Sequence, residues 1–269
     1  MRYFVEISYN GSKFHGWQTQ PNAVTVQETI EQAFFTLLKK QIKLTAAGRT
    51  DSGVHATQMY AHFDLEEEDL LYRLKMKLNS FLGKDILVKN LYKMNKDAHA
   101  RFDAIEREYK YFITQQKDVH HQESKYFFSR KLDFKLIQLA TQIIKKNKNF
   151  KSFCRTRTDV TNFECEIFDF RFEVIEHEII FTIKANRFLR NMVRSIIGTI
   201  LDIGLKKTSL KDLNNIIKKS NRIHAGPSAP AHGLFLTGIK YPENYIVHED
   251  RKSTRLNSSH RCISYAVFC

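Results

Sequence analysis

The sequence predicts an α+β protein in which two ferredoxin-like halves share one extended antiparallel sheet, with helices packed on one side and a basic cleft at the centre. Three observations carry this reading. Period-two and period-3.6 apolar patterns follow one another as strand, helix, strand, strand, helix, strand over residues 1–105. A comparable run of strands and helices begins again after residue 105. Lys and Arg number 43 against 29 Asp and Glu, a formal net charge of +14. One half is expected over 1–105, the other over 106–245, with a tail over 246–269.

A chain of 269 residues allows one large domain or two modest ones, and 42% hydrophobic with 12% aromatic residues is enough for a core. The basic surplus favours a polyanionic partner, nucleic acid first, although a solvated basic surface has the same composition. No apolar run is long enough to span a bilayer and no secretory signal opens the chain, so no membrane association and a cytoplasmic location are expected. None of the cysteines (Cys154, Cys165, Cys262, Cys269) forms a C-x-x-C pair, and the His120-His121 pair has no evident third ligand. No metal site is expected. Dinucleotide and phosphate-loop patterns are missing, so no cofactor is expected either.

Arg2 to Tyr9 alternates, with Tyr3, Val5, Ile7 and Tyr9 on one face, and Asn10-Gly11-Ser12 ends the strand. The loop Phe14 to Gln20 holds the only tryptophan, Trp17, for which packing is the simplest reading. Thr25-Val26-Gln27-Glu28 reads as a capping box, followed by Val26, Ile30, Ala33, Phe34, Leu37 and Leu38 at helical spacing. Ile42 and Leu44 lead into Gly48-Arg49-Thr50-Asp51-Ser52-Gly53-Val54-His55, and alternation resumes through Thr57, Met59, Ala61 and Phe63. From the residues alone two readings of this loop stay open. Asp after Thr and before Gly is good turn chemistry; a lone carboxylate on a tight loop beside Arg49 and His55 also suits a nucleophile or general base. A helix is expected over Asp69 to Phe81, with Leu70, Leu71, Leu74, Leu78 and Phe81 inward, then a strand from Ile86 to Met94.

The second half opens with Asp97 to Ala104 and an alternating strand, Arg107 to Ile113, with Tyr109 and Tyr111 on one face. Lys117 to Ser129 reads as a polar loop. Asp133 caps a helix carrying Leu136, Ile137, Leu139, Ala140, Ile143 and Ile144. The lysines at its end, Lys145, Lys146 and Lys148, suit the helix dipole or a phosphate, and Arg155-Thr156-Arg157-Thr158 fits phosphate contact or a solvated loop. Two strands follow, Cys165 to Ile175 and Ile179 to Ala185, around a tip at Glu176-His177-Glu178. Asn186 is then expected to cap a helix starting at Arg187. At about 100° per residue Arg187, Arg190 and Arg194 fall in one sector of it, opposite Phe188, Leu189, Met192, Val193 and Ile196. Such a stripe is either a hydrated face or a set of guanidinium groups offered to a ligand. A last helix over Ser209 to Lys218 and a strand within Gly233 to Ile239 complete the pattern.

GRTDSGVHA resembles the signature of the tRNA pseudouridine synthase A family, with Ser52 where the family usually has Ala. NGSKFHGWQ, HARF followed by REYKY, FLRNMVRSIIG and APAHGLFLTGIKY resemble further stretches of the same family, so the resemblance covers about Met1 to Tyr245. It implies an isomerase that converts uridine to pseudouridine in the tRNA anticodon stem-loop, at positions 38–40, without a cofactor. It implies tRNA as partner, a homodimer, and RRM-like sheets. It makes Asp51 the nucleophile, with Arg49 and Arg194 catalytic and Arg194 paired to the acid. Tyr109 contacts the target uridine, and Trp17 lies near the RNA-binding cleft. His99 and Arg101 touch RNA phosphate or form a surface ion pair, and Arg187 and Arg190 take backbone phosphates. A non-catalytic RNA-binding protein with RRM-like sheets is the competing reading; the set Asp51, Tyr109 and Arg194 separates the two. Residues 251–269 match nothing in the family pattern and read as non-native adaptor sequence, expected to be disordered.

Overall fold

The computed structural model describes residues 1–66, 71–156, 160–243 and Tyr245. The tail 246–269, the residues Arg157 and Thr158, and the expected first turn of the second helix at Asp69 and Leu70 lie outside the described residues.

The elements are, in chain order, β1 (Arg2–Tyr9), α1 (Val26–Leu38), β2 (Thr45–Ala46), β3 (His55–Asp64), α2 (Leu71–Phe81), β4 (Ile86–Met94), β5 (Glu106–Thr114), β6 (Tyr126–Phe127), α3 (Phe134–Lys146), β7 (Ile167–Ile175), β8 (Glu178–Ala185), α4 (Met192–Gly204), α5 (Leu210–Lys219) and β9 (Leu234–Lys240). All strands belong to one sheet, ordered β4-β1-β3-β9-β5-β8-β7, with β2 on β3 and β6 on β5. Most pairs are antiparallel, although of these only β2 with β3 and β7 with β8 are consecutive in the chain. The exception along that order is β3 with β9, which run parallel at His55↔Phe235 and Ala56↔Leu236. Thus the strands before and after residue 105 meet at the two positions that immediately follow the Asp51 loop.

Alternation decides which side chains are covered. Tyr3 stacks on Phe63, and α1 sets Phe34 against Phe63 at 4.9 Å between ring centroids. On the opposite side of the same strands Phe4 and Tyr60 are covered by Tyr241, with Tyr245 against Phe4. α3 packs Phe134 on Phe172 of β7. Each fully buried ring of this kind contributes about 1.5–3 kcal/mol relative to exposure.

Several helix ends follow the sequence. Asp133 accepts from the N–H groups of Lys135 and Leu136, satisfying donors that the first turn leaves free. Others correct it. Thr25 accepts from Glu28 N at 3.4 Å, but the return bond from Glu28 is not made; the complete capping box is Ser209 with Asp212 at α5. Phe81, expected inward, is 49% exposed. The expected helix from Arg187 begins only at Met192. Asn191 takes a left-handed conformation (φ 64°), which asparagine tolerates better than most residues, and its side chain donates to Ser228 Oγ at 2.7 Å. That tertiary bond holds the chain out of the helix until Met192. Arg187, Arg190 and Arg194 therefore do not share one helical face.

Candidate active site

Asp51 lies in the loop between β2 and β3. A second loop, which follows β1, lies beneath it and fixes its backbone. Trp17 N donates to Thr50 O at 3.2 Å, Gly53 N to Phe14 O at 3.2 Å, and Gly11 N to His55 Nδ1 at 3.1 Å. Ser52 Oγ adds a bond to Phe14 O at 3.4 Å. The Thr50 hydroxyl, buried, shares a hydrogen bond of 2.8 Å with Tyr9. Two glycines permit this. Gly53 has φ +76°, and a Cβ on Gly11 would fall 2.0 Å from Val54 O. Gly48 has open space around it and no such need.

The Asp51 carboxylate, 21% exposed, meets two guanidinium groups. Arg194 Nη1 is 3.6 Å from Oδ2 and Arg190 Nε is 3.8 Å from Oδ1. Arg194 is itself only 21% exposed, whereas Arg190 is 54% exposed. The Arg194 Nε donates to Ala229 O at 2.7 Å, and Ala229 N donates back to Arg194 O at 2.9 Å. That reciprocal pair holds the guanidinium so that Nη1 faces the acid. Arg190 arrives from the turn before α4.

Tyr109, on β5, is buried, with Phe188 edge-on to its ring at 5.1 Å and 86°. Burial raises its phenol above the usual range, and the Asp51 charge raises it further while Arg107 opposes. The phenol is therefore neutral near pH 7 and lies close enough to Asp51 to feel its charge. On the other side of the loop the His55 ring stacks on Phe235 at 4.4 Å, and burial keeps this imidazole neutral.

The remaining expected residues divide. Arg49 is exposed and has no hydrogen bond or ion pair among the described residues. Trp17 is 1% exposed and packs on Tyr9; its link to the site is its backbone N–H, and its ring is not on a surface a ligand can reach. Arg187 lines a cavity of about 270 Å³ with Lys148, Cys165 and Glu166, and no described bond joins it to Asp51. His99 holds its own turn through Nδ1, which accepts from Arg101 N at 3.1 Å and Phe102 N at 3.2 Å. Arg101 is exposed, with its cation 5.9 Å from the Phe102 ring centroid.

Arg107 is the residue sequence reasoning did not single out. Its Nη1 donates to Ala104 O at 2.6 Å and Asn186 O at 2.7 Å, and its Nη2 to Arg101 O at 2.5 Å and Ala47 O at 3.3 Å. One side chain thus joins the start of the Asp51 loop, the 101–104 turn and the end of β8. A signal existed: Arg107 falls in phase with Tyr109 and Tyr111, an arginine on the covered face of a strand. Among the described residues no group of three or more His, Cys, Asp or Glu could hold a metal ion, and no helix is long and apolar enough to cross a membrane.

The resemblance implies Arg194 beside Asp51, whereas Arg190, expected at backbone phosphates, stands at the carboxylate too. A family model described as tRNA pseudouridine synthase matches residues 7–103 and 147–242. The tRNA pseudouridine synthase A of Azobacteroides pseudotrichonymphae is 46% identical, over 91% of this chain and 98% of that protein. Those of Parabacteroides distasonis (43%, over 93% and 99%) and Bacillus subtilis (36%, over 90% and 99%) are similar along nearly their whole length. Among solved structures, a chain of a Cbf5–Nop10–Gar1 complex aligns at TM-score 0.35 and 11% identity, over 87% of this chain and 57% of that one, too low to bear on the fold. With a family model over most of the chain and near-full-length relatives above 40% identity, this chain belongs to the tRNA pseudouridine synthase family.

Proposed function

We propose that this protein isomerises uridine to pseudouridine in tRNA, with Asp51 as the nucleophile. The observation that carries the assignment is the convergence of Arg194 and Arg190 on the two oxygens of one partly exposed carboxylate. The reaction breaks the bond from ribose C1′ to uracil N1 and forms one from C1′ to C5; the proton lost from C5 is matched by one gained at N1. No electrons leave, so the chemistry needs a nucleophile, a place to hold the detached uracil and little else. Asp51 attacks C1′ or C6. Arg194 pairs with the carboxylate and keeps it aimed. Tyr109, neutral near pH 7, lays an aromatic surface against the base with its hydroxyl towards the reacting carbon. Arg49, exposed two residues before Asp51 in the chain, and Arg190, Arg187 and Arg101 supply positive charge along the path of the backbone. A target uridine must leave its stack, which costs a few kcal/mol, and these contacts offset it.

The same reading gives the chain two ferredoxin-like halves, 1–105 and 106–245, around a basic cleft. Repeated connectivity supports it: β4-β1-β3 with β2 on β3, and β9-β5-β8-β7, each follow the order fourth, first, third, second strand. The net charge of +14 supports the cleft. The family resemblance supports uridines of the anticodon stem-loop as the substrates to test first, and a homodimer acting in the cytoplasm. The test is Asp51→Asn, which keeps shape and removes charge. Pseudouridine formation falls by about 10⁴-fold or more while tRNA binding persists. Turnover at the wild-type rate refutes the nucleophile; a wild-type protein that binds tRNA without forming pseudouridine leaves only an RNA-binding protein.

A further inference from the structure

Phe102 is 74% exposed, the most exposed aromatic among the described residues. An exposed ring on a mobile tip would mean little, but this one stands on a turn held at every position. His99 Nδ1 accepts from the N–H groups of both Arg101 and Phe102. Asp103 N donates to His99 O at 3.1 Å, and Asp103 Oδ2 accepts from His99 N at 2.7 Å and from the Tyr245 hydroxyl. Ala100 donates its N–H to His62 Nδ1 at 3.1 Å and accepts from the Tyr241 hydroxyl at 2.6 Å. Arg107 then ties Arg101 O to Ala47 O, at the head of the Asp51 loop, through a single Nη2. The inner side of the ring leans on the His99 imidazole at 4.2 Å, with the Arg101 cation near it. The rest of the ring faces solvent.

We propose that Phe102 is a stacking platform for a nucleobase of the RNA substrate, with Arg101 beside it for the adjoining phosphate. The inference rests on the reading of this protein as an RNA-modifying enzyme. A π-face is complementary to any base, stacking is sequence-tolerant, and a ring already fixed loses little freedom when a base lands on it. A base drawn from its helix leaves neighbours with one open face, and an aromatic surface coupled to the reacting loop supports such a neighbour. The Phe102 ring itself has no described contact with Asp51 or Tyr109, so substitutions of that ring probe the platform apart from the chemistry.

The experiment compares wild type with Phe102→Ala, Phe102→Leu and Phe102→Trp, using one tRNA transcript carrying tritium at uracil C5. Turnover is read as tritium release, and Kd by a separate titration. Phe102→Ala raises KM and Kd by roughly tenfold, within the range of one lost base stack, and leaves the thermal midpoint where it was, because the ring buries little surface. Phe102→Leu restores less than half of that loss. In Phe102→Trp the added indole is quenched on saturation with tRNA; the only native tryptophan, Trp17, is 1% exposed and supplies a constant background. An unchanged Kd in Phe102→Ala, full rescue by leucine, or an emission indifferent to tRNA overturns the proposal. So does a concentration-dependent emission change without RNA, which would assign the ring to self-association. A wild-type protein that binds the transcript but releases no tritium refutes the enzymatic reading instead, and the Kd series still decides the platform.

Discussion

Replacing Arg107 by lysine keeps the charge and removes the fork. The guanidinium serves four carbonyl oxygens from two nitrogens: Ala104 and Asn186 from Nη1, Arg101 and Ala47 from Nη2. Burial lowers its pKa from the usual value. A single ammonium nitrogen cannot reach both pairs of oxygens, so at least two acceptors lose their donor. The bond to Arg101 O is exposed and water can replace it, whereas the other three are part-buried. At least one part-buried acceptor is stranded, at a cost of about 1–3 kcal/mol, against the roughly 5–15 kcal/mol that holds an ordinary domain together. Urea denaturation followed by circular dichroism measures it. The same change releases Ala47, at the head of the loop that aims Asp51, and a displacement of about 1 Å at a reacting group can cost about 100-fold in rate. The expected variant is therefore less stable and slower at saturating tRNA. If the folded fraction of Arg107→Lys turns over at the wild-type kcat, Arg107 supports the fold and does not position the loop. If midpoint and kcat are both unchanged, the four bonds carry nothing.

Arg194 and Arg190 are predicted to be unequal partners of Asp51. A charge pair at about 4 Å is worth about 4 kcal/mol at an intermediate dielectric; with both groups of the Arg194 pair 21% exposed, screening leaves about half, so Arg194→Ala slows single turnover by about 30-fold. Arg190→Ala, from a side chain 54% exposed, costs no more than about fivefold; a larger loss at Arg190 than at Arg194 contradicts the assignment. His62 makes stability depend on pH. Burial, then the charges of Arg2 and His99, lower its pKa from 6.5 to about 4, against the opposing pull of Asp64 and Asp103, and its Nδ1 accepts from Ala100 N. The unfolded chain binds the proton first, so this contribution is complete above pH 6.5 and is lost as pH falls from there towards 4. Thermal midpoints measured across that window should fall more steeply for wild type than for His62→Asn, which retains an acceptor without the titration; parallel curves reject the prediction.

Local chemistry made much of the fold legible in the sequence. Alternation placed β1, β4, β5, β7 and β8 within a residue or two, and Asp133 announced its helix by a side chain that accepts from the first turn. What local pattern could not show was contact across the chain. FLRNMVR reads as a continuous amphipathic helix, yet a bond from Asn191 to Ser228 delays the helix to Met192. The apparent stripe of arginines then comes apart: Arg190 and Arg194 reach Asp51, while Arg187 turns to a separate cavity. Trp17 packs as the simplest reading of it predicts, its ring buried, but nothing in the sequence says that its N–H holds Thr50. The acid itself was legible only through motif resemblance, because a turn and a displayed carboxylate have the same residues.

The two sides of the candidate site are fixed by different devices, and this bears on how the site is ready before RNA arrives. Backbone bonds from the 11–17 loop hold the Asp51 side, with no Cβ on Gly11 to push Val54 away. On the arginine side, α4 presses against the 227–229 segment so closely that a Cβ on Gly198 would sit 1.7 Å from Pro227 O. That segment supplies the Ala229 carbonyl that orients Arg194. Each group is thus fixed by its own backbone contacts before it meets the other. The carboxylate–guanidinium distances of 3.6 and 3.8 Å are longer than a direct charge-assisted hydrogen bond. Acid and cation face each other across a gap that neither closes by itself. Such an arrangement leaves the carboxylate oxygens open to a substrate atom, whereas a tight bidentate pair would cover them. Preorganisation of this kind lowers the barrier because the dipoles and charges need not move when the reaction begins.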